Sequence, residues 1–334
     1  MRNWLHFLNP MLTEVKSRNV KTNDTLVIEQ VCENFLNSRI LSCLRCERGV
    51  ASRNYKVCLT SGLTVLLRID ERRSTKDIDY DNMLMTEAAQ NGVHIASAFH
   101  SWESSEGVTV AVRPWIEGMV QADIGPVFGN RLHELGRTLA RIHNVKLSPL
   151  AGSGRQFFYA PIYNRSESCW KLLELVPRQL SDFAGAQGTV NTAIRIVSRA
   201  DRTTFPYSPI GLTHGDFSPS NVVINSNTLF VIDWEKSCFG PIYSDVAQVV
   251  YYFLTAFGNH NEANVAKLLQ GYRSERVIEN FSALQDWCYL HPFYIFLHDT
   301  ARTISKQIEG QSDHLDYYMK ESLPRFKKHL HHYR

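Results

Sequence analysis

The pattern of apolar and polar positions reads as strands first and helices afterwards. Residues 1 to 22 carry no clear pattern. Behind Asn23-Asp24, which is cap chemistry, Val27, Ile28, Val31 and Phe35 recur at helical spacing, so a helix is expected there. Three strands follow at about 39–46, 54–60 and 63–69, the last two joined as a hairpin by Ser61-Gly62. Met83, Leu84 and Ala88 share one face of a helix over 78–91, and two further strands are expected at about 94–102 and 108–113. From there the helical period takes over. Leu132, Leu135, Leu139 and Ile142 make one buried stripe of a helix over 129–144. Pro149, Gly152, Gly154 and Pro161 mark a loop at 148–164, and helices are expected at about 166–184 and 189–200. One strand pair interrupts this half. Val222-Val223-Ile224 and Leu229-Phe230-Val231-Ile232 flank Asn225-Ser226-Asn227-Thr228, which is turn chemistry and predicts a tight β-hairpin. Helical spacing resumes over Val246–Thr255 and continues through an aromatic-rich C-terminal part.

The hairpin carries the chemistry. Asp216 lies in the loop before it, Asn221 opens its first strand and Asp233 closes its second. A hairpin folds strand starts onto strand ends, so Asn221 and Asp233 are expected at the same end, near Asp216. Two carboxylates and an amide oxygen are hard ligands plus a base, which suits magnesium and a phosphate donor. His214-x-Asp216-x-x-x-x-Asn221, followed by Asp233-Trp234-Glu235, resembles the catalytic signature of the aminoglycoside phosphotransferase and choline kinase family. Those are small-molecule kinases with a protein-kinase-like fold. The resemblance implies that Asp216 orients and deprotonates the acceptor hydroxyl, while Asn221 and Asp233 hold Mg2+ on the phosphates of ATP, with GTP left open. Glu235 would touch a second magnesium or the substrate.

Other parts of the chain are similar to the same family over about 45–300, most densely at 212–245. The turn from Glu47 to Tyr55 is similar to its nucleotide-covering loop, which would set Ser52 and Asn54 against phosphates. Arg68 stands where kinases keep a phosphate-pairing lysine, and Arg offers a bidentate fork there. Glu87 is its expected partner; Glu71, Asp77, Asp79 and Asp81 read as simpler surface charges. Pro114-Trp115-Ile116-Glu117-Gly118 matches the hinge that binds adenine, which adds Trp115 to the nucleotide contacts. Asp245 matches an Asp that braces the catalytic loop, and His143 reads as a packed histidine. The short span from Asp233 to Asp245 has no room for a protein kinase's activation segment, and Gly215 replaces the Arg that reads phosphate there.

The fold expected is therefore α+β and two-lobed: a small antiparallel-sheet lobe over 1–115, with an N-terminal helical extension, and a larger helical lobe over 116–334. A chain of 334 residues has the length for two cores. A formal charge of +3, with acids and bases mixed, argues against a nucleic-acid partner. No apolar run suits a membrane span, and the start lacks a signal-peptide core. Seven scattered cysteines read as reduced thiols of a cytoplasmic protein, Cys43-x-x-Cys46 included. Trp287, Tyr289, Phe293, Tyr294 and Phe296, with His291, His298, Asp286 and Asp299, are either core or a cage for an ammonium group. The basic tail from Arg325 reads as a solvated terminus. The function expected is ATP- and magnesium-dependent phosphoryl transfer to a hydroxyl of a small, amine-bearing molecule. Choline, ethanolamine, thiamine, homoserine, sugars and aminoglycosides all fit. A non-catalytic nucleotide-binding scaffold and a protein-directed kinase are the rivals.

Overall fold

The computed structural model describes residues 22–46, 52–96, 100–103, 107–125, 130–146, 155, 158–159, 167–176, 180, 185–200, 207–255, 261–310 and 313–332. Packing divides the chain into two compact units. The first runs to Ile124 and includes Ser220–Glu235; the second comprises Gly125–Pro219 and Lys236–Arg334. The first unit thus continues past Trp115 and takes in the hairpin.

The first unit is built on an antiparallel sheet in the order β1-β2-β3-β5-β4, with β1 Ile40–Cys46, β2 Arg53–Leu59, β3 Thr64–Asp70, β4 His100–Glu103 and β5 Thr109–Pro114. Alternation gives the sheet two different faces. Tyr55, Val57, Leu59, Val65, Leu67, Ile69, Val110 and Val112 are buried against Val27, Ile28, Val31 and Cys32 of helix α1, Thr22–Asn34. Asn54, Lys56 and Arg68 alternate onto the other face, and Asn54 pairs directly with Arg68 in the β2–β3 register. Helix α1 starts at Thr22, so Asp24 lies inside its first turn instead of capping it. The buried Asp24 carboxylate accepts the Tyr55 hydroxyl at 2.6 Å and Arg53 Nε at 3.1 Å, which ties the helix to the sheet.

Helix α2, Thr75–Gln90, opens with a capping box between Ser74 and Asp77 and buries Ile78, Asp81, Leu84, Met85 and Ala88. Of the strand expected over 94–102, the described part contains an isolated bridge from His94 to Phe230 and the start of β4. Met119–Val120 then pairs with Val222–Asn225, which pairs with Thr228–Val231. This is the expected hairpin. Its turn residue Ser226 has φ +52°, in the left-handed region that tight hairpin turns require.

The second unit is mainly helical: α3 Asn130–His143, α4 Glu167–Glu174, α5 Ala186–Arg199, α6 Ile242–Val249, α7 Glu262–Arg273, α8 Phe281–Ile308, α9 Asp313–Tyr317 and α10 Leu323–His332. A strand pair, Ile210–Thr213 with Cys238–Pro241, brackets the loop that carries Asp216. Helices α3 and α7 lie so close that a Cβ on Gly136 would strike the Leu268 carbonyl, and one on Gly271 the His133 carbonyl. Phe293, Tyr294, Phe296, Ala301 and Ile304 of α8 share one core with Val190 and Val197 of α5 and Phe326 of α10. Trp287 is buried as well, so most of the aromatic group is core and not a cage. Among the described residues no helix is long and apolar enough to cross a membrane, and no cysteine is in a disulfide.

Two stability predictions follow from these cores. Asp24→Ala strands a buried phenol and a guanidinium, with an expected loss of about 3 kcal/mol. Asp24→Asn keeps an acceptor for Tyr55 and loses less; urea unfolding of the two variants checks the order, and equal losses would remove the tie. Burial pushes His291 down to about 3, and burial also lowers His143. The unfolded chain takes up these protons below about 6.5 while the folded chain does not, so stability is complete above that pH and falls beneath it. For His291 the slope is about 1.4 kcal/mol per pH unit between about 6.5 and 3, and His143 adds to the decline in the same direction. Thermal unfolding between pH 7 and 5 should show a shallower decline in His291→Gln than in the parent chain.

Candidate active site

The expected site residues fall in both units, and each set has its own geometry. In the first unit the hairpin brings Asn221 and Asp233 to one end: Val222 lies opposite Val231, and the Ile232 N–H donates to the Asn221 carbonyl at 3.0 Å. Asn221 is buried, whereas the Asp233 side chain is 36% exposed, so the carboxylate is open to an incoming ligand. Asp233 has φ +63°, a conformation that Asp tolerates better than most side chains and that turns its carboxylate out of the strand direction.

Arg68 of β3 meets this end of the hairpin. Its Nη1 donates to Asp233 Oδ1 at 3.3 Å, and its Nη2 donates to Glu235 Oε2 at 2.7 Å and to Asp70 Oδ2 at 3.4 Å. Burial alone would lower the guanidinium pKa, but Asp233, Glu235 and Asp70 outweigh it and the net shift is upward. Three carboxylates thus share one part-buried guanidinium.

Glu87 is not its partner. The buried face of α2 carries Asp81 instead, and that carboxylate pairs with Arg73 at 2.8 Å. Asp81 is therefore an internal charge and not the surface charge that its run suggests. Arg113, also in this cluster, is pushed by burial down to about 10. Ser52 lies half-buried at the bend before β2, and Asn54 opposite Arg68; residues 47–51 of the expected covering loop lie outside the described residues. Trp115 follows β5, its N–H bonded to the Thr64 carbonyl at 3.1 Å and its ring 4.7 Å from Lys56 Nζ. Among the described residues no three His, Cys, Asp or Glu side chains form a metal cage. An amide and a carboxylate oxygen at one hairpin end fit magnesium all the same, because that ion retains waters and takes its remaining oxygens from phosphates.

In the second unit the residues after Thr213 form a tight loop whose backbone donors are bound by buried side chains. Asp245 of α6, fully buried, accepts the N–H of His214 at 2.6 Å and of Gly215 at 3.1 Å. Gln248, one turn on, accepts from the Phe217 N–H at 3.2 Å and donates to the Gly215 carbonyl and the Tyr159 hydroxyl. His143 lies 3.4 Å from Asp245 and 2.8 Å from the Tyr272 hydroxyl, a packed histidine as expected. Gly215 has φ +75°, and a Cβ there would sit 2.5 Å from the Lys236 carbonyl. The loop thus presents Asp216, part-exposed, on a fixed backbone.

Lys236 was not singled out by sequence reasoning. Its Nζ lies 2.7 Å from Asp216 Oδ2 and 4.5 Å from the centre of the Phe158 ring. The signal available was its place directly after Asp233-Trp234-Glu235, in the turn that leads into the strand Cys238–Pro241. Tyr159 and Gln248 carried no local signal at all.

Comparison with known proteins bears on the family and the fold. Residues 42–278 match the model of the phosphotransferase enzyme family. A homoserine kinase of Bradyrhizobium sp. (strain ORS 278) is 26% identical over 212 residues, which is 60% of this chain and 60% of that one. The match therefore spans about three fifths of the relative's length. A spectinomycin phosphotransferase solved with ADP and spectinomycin superposes over 91% of this chain and 92% of its own, with a TM-score of 0.67 and 13% identity. An amicoumacin kinase solved with AMP-PNP and Ca2+ covers 92% and 96%, with a TM-score of 0.55 and 16% identity. Those solved structures share the protein-kinase-like α+β fold with this chain. With its loop aspartate, its hairpin and the family match over most of its length, the chain belongs to the phosphotransferase enzyme family.

Proposed function

We propose that the chain moves the γ-phosphate of ATP, with magnesium, to a hydroxyl of a small amine-bearing molecule. The observation that carries this reading is Asp216, part-exposed on a loop whose N–H groups are bound by Asp245 and Gln248, with Lys236 at 2.7 Å. A carboxylate fixed in this way is suited to orient an acceptor hydroxyl and to accept its proton as the oxygen attacks phosphorus. The bond from the γ-phosphorus to the β–γ bridging oxygen breaks, and ADP leaves. Lys236 is placed to neutralise charge beside that carboxylate. Asn221 and Asp233 would hold magnesium, which when bound draws charge from the phosphate oxygens. Arg68 would exchange a carboxylate partner for a phosphate, and Ser52, Asn54 and Trp115 would contribute the remaining nucleotide contacts. Homoserine kinases among the relatives put an amino alcohol first among acceptors.

The test is nucleotide consumption by the purified chain with magnesium, using ATP and GTP, over amino alcohols, sugars and aminoglycosides. One acceptor should stimulate turnover. Asp216→Asn and Asp233→Ala should each lower kcat on the order of 100-fold or more, and Lys236→Met roughly 10-fold or more. Magnesium-dependent nucleotide binding with no stimulated turnover would replace this reading with a binding module, and transfer to protein alone would replace it with a protein kinase.

A further inference from the structure

The second unit holds a pair of opposite charges that the reaction above does not use. Asp299, on α8, accepts the Ser322 hydroxyl at 2.9 Å, and among the described residues no cation lies within 4 Å of its carboxylate. Burial raises its pKa, with Ser322, Lys236, Arg325 and Arg302 acting in the opposite direction. Arg325 follows Ser322 by three residues, near the start of α10. It donates to the Tyr317 hydroxyl and lies 5.2 Å from the centre of the Tyr252 ring. Its acidic contact is the exposed Glu321, at 3.4 Å. The anion and the cation are thus each fixed by their own neighbours and are not joined to each other.

A run of contacts leads from this pair to the reacting loop. Lys236 binds Asp216, and its Nζ lies 4.5 Å from the Phe158 ring. Phe158 stands 4.6 Å from the ring of His298, the residue before Asp299, and Tyr159 stands 5.3 Å from that same ring. His298 Nδ1 is buried with no hydrogen-bond partner among the described residues. A part-buried carboxylate with no ion-pair partner within 4 Å among the described residues, beside aromatic faces and an imidazole nitrogen without a hydrogen-bond partner among them, is a place that gains from an ammonium group and its donors.

We propose that Asp299 and Arg325 are the acceptor subsite, built for a dipolar amino-acid alcohol. The inference rests on the phosphotransferase reading and names its substrate class. The ammonium lies on Asp299 beside Phe158 and Tyr159, and the carboxylate lies on Arg325. Each charge of such a ligand meets its opposite, which neither a simple amine nor a simple acid achieves. A polyamine such as an aminoglycoside satisfies Asp299 but sets further ammonium groups against Arg325, Arg302 and Lys236.

The experiment compares L-homoserine, 3-aminopropan-1-ol and 4-hydroxybutanoate on the full chain with magnesium and nucleotide. Binding is measured by calorimetry, and KM and kcat by turnover. Homoserine should bind roughly 100-fold more tightly than either analogue, since each analogue leaves one charge without its partner. Asp299→Asn retains the Ser322 hydrogen bond and should erase the difference between homoserine and 4-hydroxybutanoate through KM, with kcat changed less. Arg325→Gln should erase the difference between homoserine and 3-aminopropan-1-ol. Nucleotide affinity should be unchanged in both variants. Homoserine binding that fails in the parent chain, or that survives Asp299→Asn at full strength, overturns the subsite whatever the turnover. Asp299-dependent binding without phosphoryl transfer upholds the subsite and instead overturns the phosphotransferase reading.

Discussion

One buried carboxylate holds the Asp216 loop in place. The loop from His214 to Ser218 doubles back within five residues, and Gly215 lies in the left-handed region, so its N–H groups have no strand or helix partner. Asp245, fully buried near the start of α6, accepts two of them, and Gln248 one turn later accepts a third. Burying a charged group in this way is unfavourable unless its oxygens are filled. Here two backbone donors and His143 fill them, and His143 is positioned in turn by Tyr272. A chain of polar groups running from α7 through α3 to α6 therefore ends at Asp216. The close approach of Gly136 and Gly271 serves the same purpose, since it brings Tyr272 within reach of His143.

The first unit resolves a different constraint, that of holding carboxylates together. Asp70, Asp233 and Glu235 repel one another, and Arg68 is the common cation that keeps them at one end of the hairpin. The φ of +63° at Asp233 adds local strain, of the kind that persists only where its surroundings impose it.

Much of this was legible in the sequence because the signals were local. The hairpin followed from four turn residues between two apolar runs, and the shared end of Asn221 and Asp233 followed from the hairpin itself. The role of Asp245 came through family resemblance and is visible in two hydrogen bonds. The misses share a cause, which is dependence on the face of an element. Glu87 and Asp81 occupy the same helix, but only the latter points inward, and helical spacing with few large apolar residues does not decide between them. Asp24 resembled a cap because the helix start could not be located to within two residues. Lys236, Phe158 and Tyr159 reach the neighbourhood of Asp216 from separate segments, and no spacing rule connects them.

The hairpin also bears on how the molecule is made. Ser220–Glu235 packs with residues that end at Ile124, so the first unit is discontinuous along the chain. Met119–Val120 finds its strand partner only after the intervening helical residues have been synthesised. On the ribosome, at roughly 5–20 residues per second, that strand waits several seconds with its edge unpaired. The early sheet, β1 to β5, can form meanwhile, but Arg68 has no Asp233 to bind until the hairpin emerges. The charge centre of the first unit is therefore among the last features of that unit to assemble, and a chain arrested before Asp233 leaves Arg68 with no counter-charge from the hairpin.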